Sequence, residues 1–261
     1  MTDKIITEQS GETARIIFNQ PEKRNAVSLE MWEAVEEAAT RFANDPSVRI
    51  LILSGAGGKA FVSGADISKF ESERATQEGV AHYNATTKRV YDLIASFAKP
   101  TIAQIDGFCV GGGVALSLCC DIRICGKGSQ FAVPAAKLGL GYPFPGLKRL
   151  VDVVGPSFAK EIFYTARRFD AEEARIMGLV NRVVDDASVR DAADEMAAMI
   201  AANAPLTVGS VKYIVGEVLK PESERDLEEC DRRVKACFDS QDYIEGRRAF
   251  LEKRTAKFVG A

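Results

Sequence analysis

"GFCVGGGVALSLCCD" (residues 107–121) sets three consecutive glycines between a strand-like stretch and what reads as a helix. Gly111, Gly112 and Gly113 carry no Cβ, so a ligand can approach their N–H groups closely and φ is free. A helix that starts there aims the positive end of its dipole at the same spot. Such a loop is a site for negative charge, whether a phosphate or a developing oxyanion. A glycine-rich helix entry packed tightly on a strand would carry the same residues, and the loop alone does not separate the two. The spacing is not the G-x-G-x-x-G of a dinucleotide-binding turn, and no P-loop Lys-Ser/Thr follows. Val114 and Ala115, in the next turn, can neither donate nor accept a proton.

Outward from that loop, the composition bounds the problem. The 261 residues suffice for one large domain or one domain with a small appendage. A net charge of −3 gives no footing for non-specific binding to nucleic acid or membrane, and neither is expected as a partner. No apolar run reaches bilayer length, and "MTDKIITEQSGE" (1–12) is too polar for a signal peptide, so a cytoplasmic location is expected. Cys109, Cys119, Cys120 and Cys125 sit in apolar segments and read as reduced core residues rather than a redox pair. With His82 as the single histidine and no CxxC spacing, no metal site is expected.

The pattern of elements is mixed. "TARIIFN" (13–19) and "VRILILSG" (48–55) read as buried strands, as do "TIAQIDGF" (101–108) and "DIRICGKGSQFAV" (121–133). "SLEMWEAVEEAATRFAND" (28–45) places Met31, Val35, Ala38 and Phe42 on one helical face, with Ser28 as N-cap. Segments 157–169, 187–204 and 205–220 also show helical periodicity, and from residue 187 the chain reads as all helix. The tail "RDLEECDRRVKACFDSQDYIEGRRAFLEKRTAKF" (225–258) interleaves apolar residues with both charge signs, as helices packing on a neighbouring subunit would.

A second loop changes the weight of the first. "GGKAFVSGADISKF" (57–70) follows the strand at 48–55 and contains "SGAD", another turn of small residues with N–H groups to offer. Two such turns can point two donors at one oxygen, the arrangement that stabilises enolates and tetrahedral oxyanions.

The segments "NQPEKRNAVS", "KAFVSGADI", "KPTIAQIDGFCVGGGVALSLCCDIRI", "ARRFDAEEARIMGLVNRVV" and "FLEKRTAKF" resemble, in order and over nearly the whole chain, the motifs of the crotonase (enoyl-CoA hydratase/isomerase) superfamily. The resemblance implies an α/β fold: a spiral of ββα turns over 1–200 and a C-terminal helical region over 201–261. It also implies a homotrimer or homohexamer, acyl-CoA and fatty acid metabolism, and an acyl-CoA substrate whose coenzyme A is the only cofactor-like group. The thioester oxygen would be held by the N–H groups of Ala65 and Gly112. Lys23, Arg24 and Ala26, in "EKRNAV", would contact the nucleotide and pantetheine, and Lys253 the adenosine end. Ser63, Gly64, Asp66, Ile67, Gly111 and Phe131 are expected along the CoA or acyl chain, with Asp66 holding its loop. Phe61, Phe70, Phe108, Tyr142 and Phe144 are candidates for the acyl pocket.

Hydratases of this superfamily use two glutamates, one in the turn after "GGG" and one after the proline of an "F-x-x-P-E" segment. The positions that match are Ala115 and Ala135. Water addition needs a base for the water and an acid for the α-carbon, and two methyl groups supply neither. Three readings follow. Tyr142, in "KLGLGYPFPG", resembles the tyrosine of superfamily decarboxylases that act on malonyl-type thioesters, whose enolate arises by loss of CO2; those enzymes can carry a histidine where this chain has Ala65. A hydratase or isomerase would instead recruit Glu71 or Glu73. An acyl-CoA binder would need none of these groups. A Ser-His-acid triad would rest on His82 alone, in a segment that reads as helix surface.

Overall fold

A computed structural model describes residues 2–69, 73 and 75–261. Its strands are β1 (Ile5–Ser10), β2 (Thr13–Phe18), β3 (Ile50–Gly55), β4 (Ala60–Val62), β5 (Thr101–Ile105), β6 (Phe108–Val110), β7 (Ile122–Gly126), β8 (Gln130–Ala132), β9 (Phe169–Asp170) and β10 (Arg182–Val184). Its helices are α1 (Leu29–Asn44), α2 (Gln77–Ala95), α3 (Gly112–Ser117), α4 (Phe144–Thr165), α5 (Ala171–Ile176), α6 (Val189–Ala201), α7 (Pro205–Val218), α8 (Leu227–Asp239) and α9 (Gln241–Glu252).

From β3 to β8, successive strands alternate between two sheets. The first runs β1-β2-β3-β5-β7-β10 and the second β4-β6-β8-β9. From β2 onward the first sheet is parallel, and in the second β4, β6 and β8 are parallel. Each turn of the chain from β3 to β8 thus lays one strand in each sheet and then a helical segment, which is a spiral of ββα turns. The expected strands 101–108 and 121–133 are each two strands in different sheets. At the first break Gly107 has φ +62°, and a Cβ there would lie 2.1 Å from the Lys59 carbonyl oxygen, so only glycine makes that corner.

The "ILIL" of β3 reads as a continuous apolar run because both its faces are covered. Ile50 and Ile52 join Ile102 and Ile124 beneath Ala193 and Ala197 of α6. Leu51 and Leu53 face the main core with Phe18, Trp32 and Phe61. The α1 cap differs from its expectation: Ser28 makes no capping bond, and the Leu29 N–H donates instead to the Glu73 carboxylate at 3.1 Å. All six cysteines are unpaired, and Cys109, Cys119, Cys120 and Cys125 are buried. No single described helix is long and apolar enough to cross a membrane.

Helices α7 to α9 leave large apolar side chains in solvent. Phe250 is 84% exposed, Leu251 79% and Phe238 59%. They line an apolar groove of about 810 Å³ with Val211, Ile214 and Phe258.

Candidate active site

Three neighbouring parallel strands build the site. Val62 of β4 is in register with Cys109 of β6, and Val110 of β6 with Ala132 of β8. The chain leaves their carboxyl ends into 63–66, 111–113 and 133–135, the end of a parallel sheet at which ligands are bound in open α/β folds. The "SGAD" turn, the glycine loop and the segment that carries Ala135 therefore emerge at one edge.

The glycines divide the two readings of their loop between them. A Cβ on Gly113 would lie 2.1 Å from the Val62 carbonyl oxygen, so Gly113 serves close packing. Gly112 is confined less severely: its Cβ would stand 3.3 Å from the Tyr91 hydroxyl and 4.0 Å from the Gly64 Cα. The "GGG" and "SGAD" loops thus meet. Gly111, at φ 55°, anchors its loop by donating to the Ala132 carbonyl at 2.8 Å.

Backbone pairing isolates one donor in each loop. The Val27 N–H donates to the Gly64 carbonyl at 2.8 Å, and the Asp66 N–H to the Val27 carbonyl at 2.9 Å. Ala65, between them, has no acceptor for its N–H among the described residues. Neither has Gly112, at the first position of α3, where an unsatisfied N–H is expected. At the other end of α3, buried Arg123 donates to the carbonyls of Ser117 (3.3 Å), Cys120 (2.7 Å) and Leu179 (2.7 Å), which fixes the short helix in place.

Asp66 holds the 63–68 loop. Its carboxylate accepts from Lys23 Nζ at 2.8 Å, Ser68 Oγ at 2.6 Å and the Ser68 N–H at 3.0 Å. Burial alone would raise its pKa, but these bonds outweigh burial and hold it at about 2. Lys23 also donates to Ser68 Oγ at 2.8 Å, and Ser63 Oγ donates to the Lys23 carbonyl at 3.4 Å. The Ala26 N–H donates to the same carbonyl at 3.1 Å. Arg24, at φ 53°, lays its guanidinium 4.8 Å from the Phe108 ring centroid, and Arg168 lies 5.3 Å from it.

Several expected lining residues lie elsewhere. Phe61 (0% exposed) and Phe131 (2%) are sealed in the core, where alternate strand positions turn inward, and leave no surface for a ligand. Phe108 is a platform beneath the two arginines. Phe144 is exposed at the start of α4, and Ile67 projects outward. Phe70 and Glu71 lie outside the described residues. Glu73 is engaged at the start of α1, exposed His82 sits 3.4 Å from Glu33, and Lys253 ends α9 in a left-handed conformation with no bond to either loop among the described residues.

The floor of the site carries phenols and a thiol in place of carboxylates. The Cys119 thiol donates to the Ala115 carbonyl at 3.3 Å, and the Tyr91 hydroxyl to the Gly112 carbonyl at 3.3 Å. Ala135 is buried. Tyr142 packs edge-on against Phe163 at 4.8 Å and is close enough to Tyr91 and Cys119 for their charges to oppose. Burial pushes Tyr142 and Cys119 each up to about 12 and raises Tyr91 as well, so all three hold their protons at neutral pH. Tyr91 and Arg168 are not marked in the sequence, and Cys119 reads there only as a reduced core residue. The glycine loop is 21 residues from Tyr91, and nothing local marks that helix position.

A family model described as enoyl-CoA hydratase/isomerase matches residues 8–261. The chain belongs to that family. Among enoyl-CoA hydratase/isomerase relatives, the crotonyl-CoA hydratase of Syntrophomonas wolfei is 35% identical over 98% of both chains. The short-chain-enoyl-CoA hydratase of Clostridium acetobutylicum is 33% identical over 97% of this chain and 96% of its own. The crystal structure of an enoyl-CoA hydratase/carnithine racemase from Magnetospirillum magneticum superposes with a TM-score of 0.93 at 38% identity, covering 100% of this chain and 97% of that one. The crotonase-type fold with its C-terminal helical region is thereby established, and the family is one of acyl-CoA enzymes.

Proposed function

We propose that this member of the family acts on an acyl-CoA thioester through an enolate held by the Ala65 and Gly112 N–H groups, without a carboxylate acid/base pair. The observation that carries the reading is the pairing of two unpartnered N–H groups on touching loops with Tyr91, Cys119 and Tyr142, which stay protonated, while the neighbouring ionised carboxylate, Asp66, is tied up within its loop. Phenols and thiols of raised pKa can give a proton but are poor at taking one at neutral pH.

A reaction that creates its enolate without a base fits such a site. In a malonyl-type thioester the bond from the α-carbon to the carboxylate breaks, its electron pair enters the enolate, and CO2 departs. Tyr142 then gives its proton to the α-carbon and regains one from water. Apolar surroundings favour the step, because an unpartnered carboxylate is costly there and CO2 is not. The names of the relatives favour a second reading, hydration of a short enoyl thioester; it would require an acid and a base from outside the Ala115 and Ala135 positions.

Lys23, Arg24 and Ala26, in the turn bridged to the Ala65 loop, would grip the CoA, with Lys253 at its adenosine end and Ser63, Gly64, Ile67 and Gly111 along the chain. The exposed Phe250, Leu251 and Phe238 support packing of the C-terminal helices on another copy, as in a homotrimer or homohexamer.

The test is restoration of the missing groups. The Ala115→Glu/Ala135→Glu variant is expected to gain hydration of crotonyl-CoA that the parent lacks. Hydration by the parent itself would remove the carboxylate-free reading, and no gain in the variant would mean that Ala115 and Ala135 are not the positions of the missing pair.

A further inference from the structure

Tyr91 is not required by the two-donor scheme, yet its hydroxyl stands against the glycine that carries one of the donors. The point where a Gly112 side chain would begin lies 3.3 Å from that hydroxyl and 4.0 Å from the Gly64 Cα. The phenol and the loop that carries Ala65 therefore both stand beside Gly112.

The hydroxyl's present bond is weak. At 3.3 Å to the Gly112 carbonyl it exceeds the roughly 2.7–2.8 Å of a good O–H···O bond, so a better acceptor beside Gly112 would draw it away. The ring, by contrast, is fixed. It packs edge-on against buried Trp32 at 5.5 Å, and Trp32 Nε1 in turn donates to the Tyr83 hydroxyl at 3.1 Å. A rigid ring with a loosely committed hydroxyl is a donor that can be redirected at little cost.

We propose that Tyr91 is a third hydrogen-bond donor of the oxyanion site, its hydroxyl turning from the Gly112 carbonyl to the thioester oxygen when an acyl-CoA binds. The inference rests on the reading of Ala65 and Gly112 as the oxyanion hole. No proton is transferred: the phenol, protonated at neutral pH because burial raises its pKa, shares its hydrogen with the enolate oxygen. Tyr91 is thus a binding and transition-state residue, distinct from Tyr142 as proton donor to carbon.

The test compares butyryl-CoA with S-butyl-CoA, which has a CH2 in place of the carbonyl, for binding to the parent and to Tyr91→Phe. The parent should prefer the thioester. Tyr91→Phe should bind S-butyl-CoA unchanged and lose about five- to tenfold of the preference, the worth of one neutral hydrogen bond. If the variant weakens both ligands equally, or neither, the hydroxyl only ties α2 to the glycine loop and the inference is overturned. A parent without any preference would instead remove the oxyanion-hole reading and Tyr91's role with it. Should Tyr91→Phe unfold, 3-fluorotyrosine at position 91, a stronger donor of similar shape, should raise the preference; an unchanged preference would overturn the inference.

Discussion

Val27 and Ala65 are joined as an isolated parallel bridge, and that bridge turns the backbone on either side of Ala65 inward to Val27. It has two consequences. The Ala65 N–H is left over as a donor, and the turn expected to hold CoA is fastened to the loop expected to hold the thioester. Binding at one end is thereby coupled to geometry at the other.

The Asp66 carboxylate secures the same junction from the side-chain direction. A carboxylate depressed from 3.8 to about 2 stabilises the fold above its unfolded pKa, by about 2 kcal/mol, and that contribution is lost as pH falls through about 2. Urea midpoints should therefore decline between about pH 4 and pH 2, and Asp66→Asn should be less stable at pH 7 with a shallower decline over that window. An identical pH profile in the variant would mean that Asp66 does not carry this stability.

Gly113 answers to packing and not to ligand. A Cβ placed 2.1 Å from the Val62 carbonyl oxygen strikes backbone that cannot give way as a side chain would, so Gly113→Ala should destabilise by about 3 kcal/mol or more. Calorimetry would read this as a large fall in Tm or as failure to fold. A variant of parental stability would show that the two loops are not held as tightly as described.

Tyr142 should matter for turnover and little for affinity. Tyr142→Phe is expected to lower kcat on methylmalonyl-CoA by about 10²–10⁴-fold with KM nearly unchanged. Because the protonated phenol is the working form and its pKa is raised to about 12, the rate should fall only as pH nears that value. Any acid limb should belong to the substrate's own carboxylate, which must be ionised to leave as CO2, and should be the same in Tyr142→Phe. A KM effect alone would assign the chemistry elsewhere.

The apolar groove of the C-terminal helices predicts self-association. Phe250→Asp and Leu251→Asp should shift the light-scattering mass toward the 28.3 kDa monomer without unfolding the spiral core. A parental protein already monomeric at micromolar concentration would contradict the packing reading.

The glycine loop, the "SGAD" turn and the apolar runs of β2 and β3 were legible because each depends on residues next to one another in the chain. Other features depend on distant partners. The polar edge strand β1, "IITEQS", has one largely solvated flank and therefore no buried run to betray it. Phe61 and Phe131 look like pocket residues until the second sheet turns them into the core. The α1 cap comes from Glu73, 44 residues beyond Leu29, and not from the adjacent Ser28. Tyr91 looks like any aromatic on a helix until the spiral lays α2 across the glycine loop.

The most direct measurement is mass spectrometry of the purified protein incubated separately with methylmalonyl-CoA and crotonyl-CoA, beside enzyme-free controls. The account predicts loss of CO2 from the first and no gain of water on the second. Gain of water on crotonyl-CoA, with methylmalonyl-CoA untouched, would contradict it and require an acid and a base that Ala115 and Ala135 do not provide.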